Sequence, residues 1–230
     1  MKRLLTTLIV AMMTFVAMAQ TPATLKFLGI PVDGSKTEMI RQLRQKGFAY
    51  DAKEDLLTGT FNGMESNVRI HENNGKVDRV YIADANTCNE AQIRIRFNNL
   101  LQQFKANEKY VEMEENKPIS EKEDISYEMT VNSKNYDAAF YLNPTYGFSE
   151  EDNVRIATNL AEELQAKIDA GEYEDMTDEK STEILQTMAV QKLISMIEGQ
   201  VWFRIAKYYG DYYLTIYYDN LKNRPNGEDL

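Results

Sequence analysis

The 230-residue sequence predicts an α+β fold: an antiparallel sheet built from hairpins, with amphipathic helices packed on one face. Three observations predict it. Turns rich in Asn and Gly join short strand-like runs directly, which requires antiparallel neighbours. Four longer stretches carry apolar residues at helical spacing. No stretch alternates single strands with single helices, as a doubly wound parallel sheet would.

The N-terminus reads as an export signal. Lys2 and Arg3 precede an apolar run from Leu4 to Val16, and Ala17-Met18-Ala19 supplies the small residues of a cleavage site before Gln20. The run is shorter than the roughly 20 residues that span a bilayer. No cysteine sits at the cleavage point and no second long apolar run follows, so the expectation is a periplasmic or secreted chain without a membrane span. Removing residues 1–19 leaves 230 − 19 = 211 residues, which read as one α+β domain over 20–230, or as two related halves meeting near 109–124.

The first helix starts at Ser35-Lys36-Thr37-Glu38, a capping-box pattern, continues through Met39, Ile40 and Leu43, and stops at Gly47 before Phe48. Residues 57–83 read as three strands joined by turns at Asn62-Gly63 and Asn73-Asn74-Gly75. A second helix over about 90–107 places Ile93, Phe97, Leu100, Leu101 and Phe104 in one stripe, with Arg94, Arg96, Asn98 and Gln102 on a solvated face. The charged stretch 112–124, with Pro118, reads as a loop. Ile125 to Val131 and Tyr136 to Leu142 read as a hairpin around Ser133-Lys134-Asn135.

Helical spacing returns in 150–170 (Val154, Ala157, Leu160, Leu164, Ile168). An acidic connector follows at 172–179, and a last helix over about 178–198 is expected to bury Leu185, Met188, Ala189, Leu193 and Met196. The final hairpin closes the order α-βββ-α-ββ-α-α-ββ.

That hairpin reads VWFRIAKYYGDYYLTIYYDN, Val201 to Asn220. A turn centred on Tyr209-Gly210 sets Val201 opposite Tyr218, Phe203 opposite Ile216 and Ile205 opposite Leu214. This register sorts one face as core; a slip by one residue would mix the two faces. The second face then carries Trp202, Arg204, Tyr213 and Tyr217, side chains with flat apolar bodies and polar tips. Either they form a ligand-binding surface for a protein, peptide or glycan, or they are cross-strand pairs that stabilise a half-exposed sheet.

Composition excludes much chemistry. Acids outnumber bases 36 to 26, a net charge of −10 that becomes 24 − 36 = −12 once Lys2 and Arg3 leave with the signal; such a chain repels nucleic acid. One histidine, His71, and one cysteine, Cys88, cannot build the common catalytic or metal constellations. Cys88 lies just before the second helix and reads as a small, inert residue, and the 172–179 acids lack the ligand spacing of a calcium loop. No cofactor, metal or catalytic set is therefore expected. The leading expectation is a non-enzymatic binding module. The alternative is a carboxylate-dependent hydrolase acting on glycan or peptide, which needs two converging acids, one with a raised pKa. A self-associating protein would instead share an apolar patch across a two-fold axis.

Two stretches, LKFLGIPVDGSKTEMIRQLRQKGF (Leu25 to Phe48) and YYDNLKNRPNGEDL (Tyr217 to Leu230), resemble an uncharacterised family of exported proteins from Bacteroides-type bacteria. The resemblance implies export and carries no activity. The early helix-then-hairpins order also resembles modules of the beta-lactamase-inhibitor-protein type, small α+β domains that present a sheet.

Overall fold

The computed structural model describes residues 24–173 and 175–225; the expected signal over 1–19 lies outside the described residues. In chain order the elements are β1 (Lys26–Phe27), β2 (Ile30–Pro31), α1 (Lys36–Gln45), β3 (Ala49–Asp51), β4 (Leu56–Phe61), β5 (Met64–Asn73) and β6 (Lys76–Asp84). They continue with α2 (Glu90–Lys105), β7 (Tyr110–Val111), α3 (Ile125–Val131), β8 (Asp137–Leu142), α4 (Glu150–Asp169), α5 (Asp178–Ser195), β9 (Gly199–Tyr208) and β10 (Asp211–Asn220). The fold is α+β. Two compact units form: residues 24–143 with 198–225, and residues 144–197. Among the described residues, no helix is long and apolar enough to cross a membrane.

The first unit is organised by an antiparallel eight-stranded sheet in the order β3-β4-β5-β6-β10-β9-β8-β7. That order is what two copies of a helix plus four-strand meander produce when joined across β6 and β10: α1 with β3 to β6, then α2 with β7 to β10. Local details repeat as well. Ser35 caps α1 and the buried Met39 and Leu43 follow four and eight residues later; Asn89 caps α2, and the buried Ile93 and Phe97 follow at the same spacing. Val68-Arg69-Ile70 of β5 and Phe203-Arg204-Ile205 of β9 stand at the same distance from the turns Asn74-Gly75 and Tyr209-Gly210. The sheet's two halves join through residues 85–89, and residues 144–197 are inserted in the chain between β8 and β9.

One face of the sheet is core. The β9–β10 register matches the sorted pairing, Val201 with Tyr218, Phe203 with Ile216 and Ile205 with Leu214. Helix α2 lies on this face through its expected stripe: Phe104 stacks on Phe203 and Phe140 at centroid distances of 5.9 and 5.1 Å, and Phe97 meets Phe203 edge-on at 5.1 Å. Phe27 of β1 covers Phe61 and Tyr218 on the same side. Phe48 lies so close over Gly59 that a β-carbon there would come within 2.6 Å of its ring, so β4 requires glycine at that point.

Four expectations are corrected. Ile125 to Val131 is the helix α3, not a strand. Its Ile, Tyr, Thr and Val favour strands, but Asp124 accepts from the Tyr127 amide, and Glu90 of α2 accepts from the Ile125 and Ser126 amides. Three capped amides fix the first turn against local propensity. Second, Arg94 and Arg96 are not solvated. Arg96 is 10% exposed and pairs twice with Asp84, itself 2% exposed, at 2.7 Å. Arg94 reaches Glu90 and the Glu123 carbonyl, while Asn98 clamps both backbone groups of Ile119. Third, Ser35 does cap α1, but Glu38 turns to Arg41 and Gln42. Fourth, α5 buries Leu185, with Met188 and Ala189 packed on the same cluster, whereas Leu193 and Met196 are half-buried and Val190 and Ile194 are exposed.

The second unit is that helical pair: Ala157, Leu160 and Leu164 of α4 meet Leu185 of α5. In the first unit, the two stretches that resemble exported proteins come together. Asn220 donates to the Val32 carbonyl at 2.7 Å, and Asn223 donates to Asp33 and to the Val77 carbonyl. They form a clasp that ties the tail to the β1–β2 corner.

Tyr209 sits at φ +49° in the β9–β10 turn and is 93% exposed. A bulky residue is strained in this conformation, and the turn type favours Asn. Tyr209→Asn is expected to raise stability by about 0.5–1 kcal/mol in urea unfolding. No gain would mean that the edge contact of Tyr209 with Tyr208 outweighs the strain.

Candidate functional site

Strand parity places Trp202, Arg204, Tyr213 and Tyr217 on the sheet face opposite α2, and register brings neighbours to them. One row across the strands reads Ala139, Trp202, Tyr217, Tyr81, Arg69. The row beside it reads Asp137, Arg204, Thr215, Ala83, Asn67. On the other side runs Tyr141, Gln200, Asp219, Arg79, His71. Tyr213 stands opposite Ala206, one pair beyond the Arg204 row.

The middle row is tightly built. The Trp202 indole lies flat on the Tyr217 ring, with centroids 3.8 Å apart and planes 5° apart. Tyr81 packs on Tyr217 from the other side at 5.1 Å, and the Arg79 guanidinium lies 5.3 Å from the Tyr217 centroid. Tyr217 is thus held between an indole and a phenol, while Trp202 has only the small Ala139 as its next neighbour in the row. All four candidate residues are half-buried.

Asp219 holds this arrangement in place. Its carboxylate is fully buried, yet it accepts from Arg79 at 2.5 and 2.9 Å, from Trp202 Nε1 at 3.0 Å, from Arg224 at 3.1 Å and from Gln200 at 3.3 Å. A buried carboxylate survives only with such donors. The Trp202 bond also fixes which way the indole lies. Burial pushes the Tyr81 hydroxyl up to about 12, and its neighbours Tyr217 and Tyr213 add to the shift.

Sequence reasoning found four members of this face and missed Arg69, Arg79, Tyr81 and Asp219. A parity signal existed, since Arg79 and Tyr81 alternate with the core residues Val80 and Ile82. The sequence held no sign that β6 would lie beside β10. By the same parity the face carries Arg69, Arg79 and Arg204, with Arg224 bonded to Asp219, against Asp137, Asp211, Asp219 and Glu65, so charges of both signs are interspersed on it. Arg204 has a single long bond to Asn135, at 3.3 Å, and Arg69 donates to the Glu54 carbonyl at 2.7 Å.

The other candidate groups lie elsewhere. His71 bonds Asp78 at 2.8 Å with its ring largely exposed. Burial, with Asp84 nearby, raises the Cys88 thiol, so the helix that follows does not activate it. Among the described residues, no group of three or more His, Cys, Asp or Glu side chains is placed to hold a metal. The carboxyls of Asp33, Glu38, Asp55, Glu112, Glu123 and Asp152 are all held below their ordinary range, each by hydrogen bonds that in Glu112 overcome the opposing effect of burial. No protein-family model, curated protein or solved structure matches the chain.

A tyrosine whose folded pKa is raised from 10 to about 12 stabilises the fold fully below pH 10 and loses that contribution as pH climbs towards 12. Unfolding midpoints followed from pH 9 to about 12 are therefore expected to fall, and to fall less in Tyr81→Phe, which has no proton to lose. Parallel curves for the two proteins would show that Tyr81 is not held neutral by its neighbours.

Proposed function

We propose that the protein is an exported, non-enzymatic binding module whose ligand is an anionic glycan or peptide held on the sheet face of Trp202, Arg204, Tyr213 and Tyr217. One observation carries this reading: the Trp202–Tyr217–Tyr81 row is fixed by the buried Asp219, and it is flanked by Arg204 and Arg69. Rigid aromatics with tethered polar tips lose little entropy on binding. Guanidinium groups beside them recognise carboxylate, sulfate or phosphate. Export is supported by Lys2, Arg3, the apolar run from Leu4 to Val16 and Ala17-Met18-Ala19, together with the resemblance to exported Bacteroides-type proteins.

A carboxylate-dependent hydrolase needs an acid that keeps its proton near neutral pH. The six carboxyls with resolved shifts all move downward, so none of those six fits that role. No observation favours the hydrolase reading.

The test is a panel of uronate-bearing oligosaccharides and acidic peptides, titrated against the full chain. For any member that binds, Trp202→Ala and Tyr217→Ala are each expected to weaken affinity by about tenfold or more, and Arg204→Gln to weaken it with a reduced salt dependence. Unchanged affinity in both alanine variants would remove the site assignment.

A further inference from the structure

We infer a second interaction surface, which adjoins the aromatic face at Asp137 and Ala139 and works by backbone pairing: the outer edge of β8, which accepts an extended, lysine- or arginine-bearing peptide segment of a partner protein as an added strand. Along β8 the backbone groups of alternate residues face opposite edges. Even positions face β9, as the bond from the Ile205 amide to the Tyr136 carbonyl shows. Odd positions face outward, and β7 covers them only at its end, where Val111 pairs with Tyr141. At Ala139 no strand is present. Instead the side chain of Asn116 does a strand's work, accepting from the Ala139 amide at 3.0 Å and donating to its carbonyl at 2.9 Å. By the same alternation the backbone of Asp137 also faces this edge.

Space for a peptide exists at this edge. A cavity of about 580 Å³ lies between β8 and the loop of residues 113–120. Its wall includes Glu114, Glu115 and Asp137, all exposed. Its two cations are both engaged: Lys134 is bound to Glu123, and Lys117 lies 3.8 Å from Glu115. An incoming strand would continue the β7 ladder, displace the Asn116 amide and meet a carboxylate-rich wall. Backbone bonds supply the affinity and the acidic wall selects a basic segment. The Asn116 plug also explains how an uncovered edge escapes indiscriminate pairing.

The experiment uses the full chain and a capped octapeptide of alternating lysine and valine. Two controls are its glutamate twin and a twin N-methylated at alternate residues. The lysine peptide is expected to bind, to protect the Ala139 and Asp137 amides from hydrogen exchange, and to bind about tenfold more tightly to Asn116→Ala, which removes the competing pair of bonds. Asp137→Pro, which deletes one outward amide at a position where strand edges tolerate proline, is expected to abolish binding and covers the case in which Asn116→Ala fails to fold. Equal binding of the N-methylated twin, or no protection at Ala139, overturns strand addition. Equal binding of the glutamate twin overturns the basic partner.

Discussion

The pairing of β6 with β10 is the constraint on which the first unit depends. It joins segments about 140 positions apart in the sequence, Arg79 with Asp219 and Ala83 with Thr215. Each face of this seam is fastened by a buried carboxylate and a guanidinium. On the helix side Asp84 of β6 holds Arg96 and also accepts from the Leu214 amide of β10 at 3.2 Å, so one carboxylate ties α2 to both central strands. On the other side Asp219 of β10 holds Arg79 of β6. Breaking such a pair leaves a charge stranded in a dry site, at a cost of about 3–5 kcal/mol, whereas replacing both partners by apolar groups can be nearly neutral. The pairs therefore act on register more than on total stability. A slipped strand would strand both acids at once.

The aromatic face follows from that register. Once Tyr217 is set beside Tyr81, parity puts Trp202 on its other flank, and Asp219 turns the indole so that its N–H is satisfied. Much of this face is therefore cross-strand packing, as the plainer reading of the hairpin expects. The aromatic row also presents half-exposed rings beside Arg69 and Arg79, and the same packing would hold them rigid for the ligand we propose.

Local pattern made much of this legible. The buried stripe of α2 and the β9–β10 register could be read because periods of 3.6 and 2 are properties of neighbouring residues. The parts that escaped reading are long-range. α3 looks like a strand until Glu90, 35 positions upstream, takes its first amides. Arg96 looks solvated until Asp84 is placed beneath it. Asp219 reads as an ordinary residue near the tail, and its role appears only when Arg79 arrives from the other half of the sheet. Four members of the candidate face could be read from one hairpin, and Asp219 stood unread in that same hairpin; Tyr81, Arg79 and Arg69 belonged to β6 and β5, whose place beside β10 no local pattern names.

A double-mutant cycle between Arg79 and Asp219 tests the account most directly. Unfolding free energies would be measured for Arg79→Met, Asp219→Leu and the pair. If the seam is locked by this interaction, each single change costs several kcal/mol and the double change costs much less than their sum, with a coupling of about 2 kcal/mol or more. Additive single changes would mean that Asp219 draws its support from Trp202, Gln200 and Arg224 alone, and that something other than this pair fixes the register beneath the aromatic face.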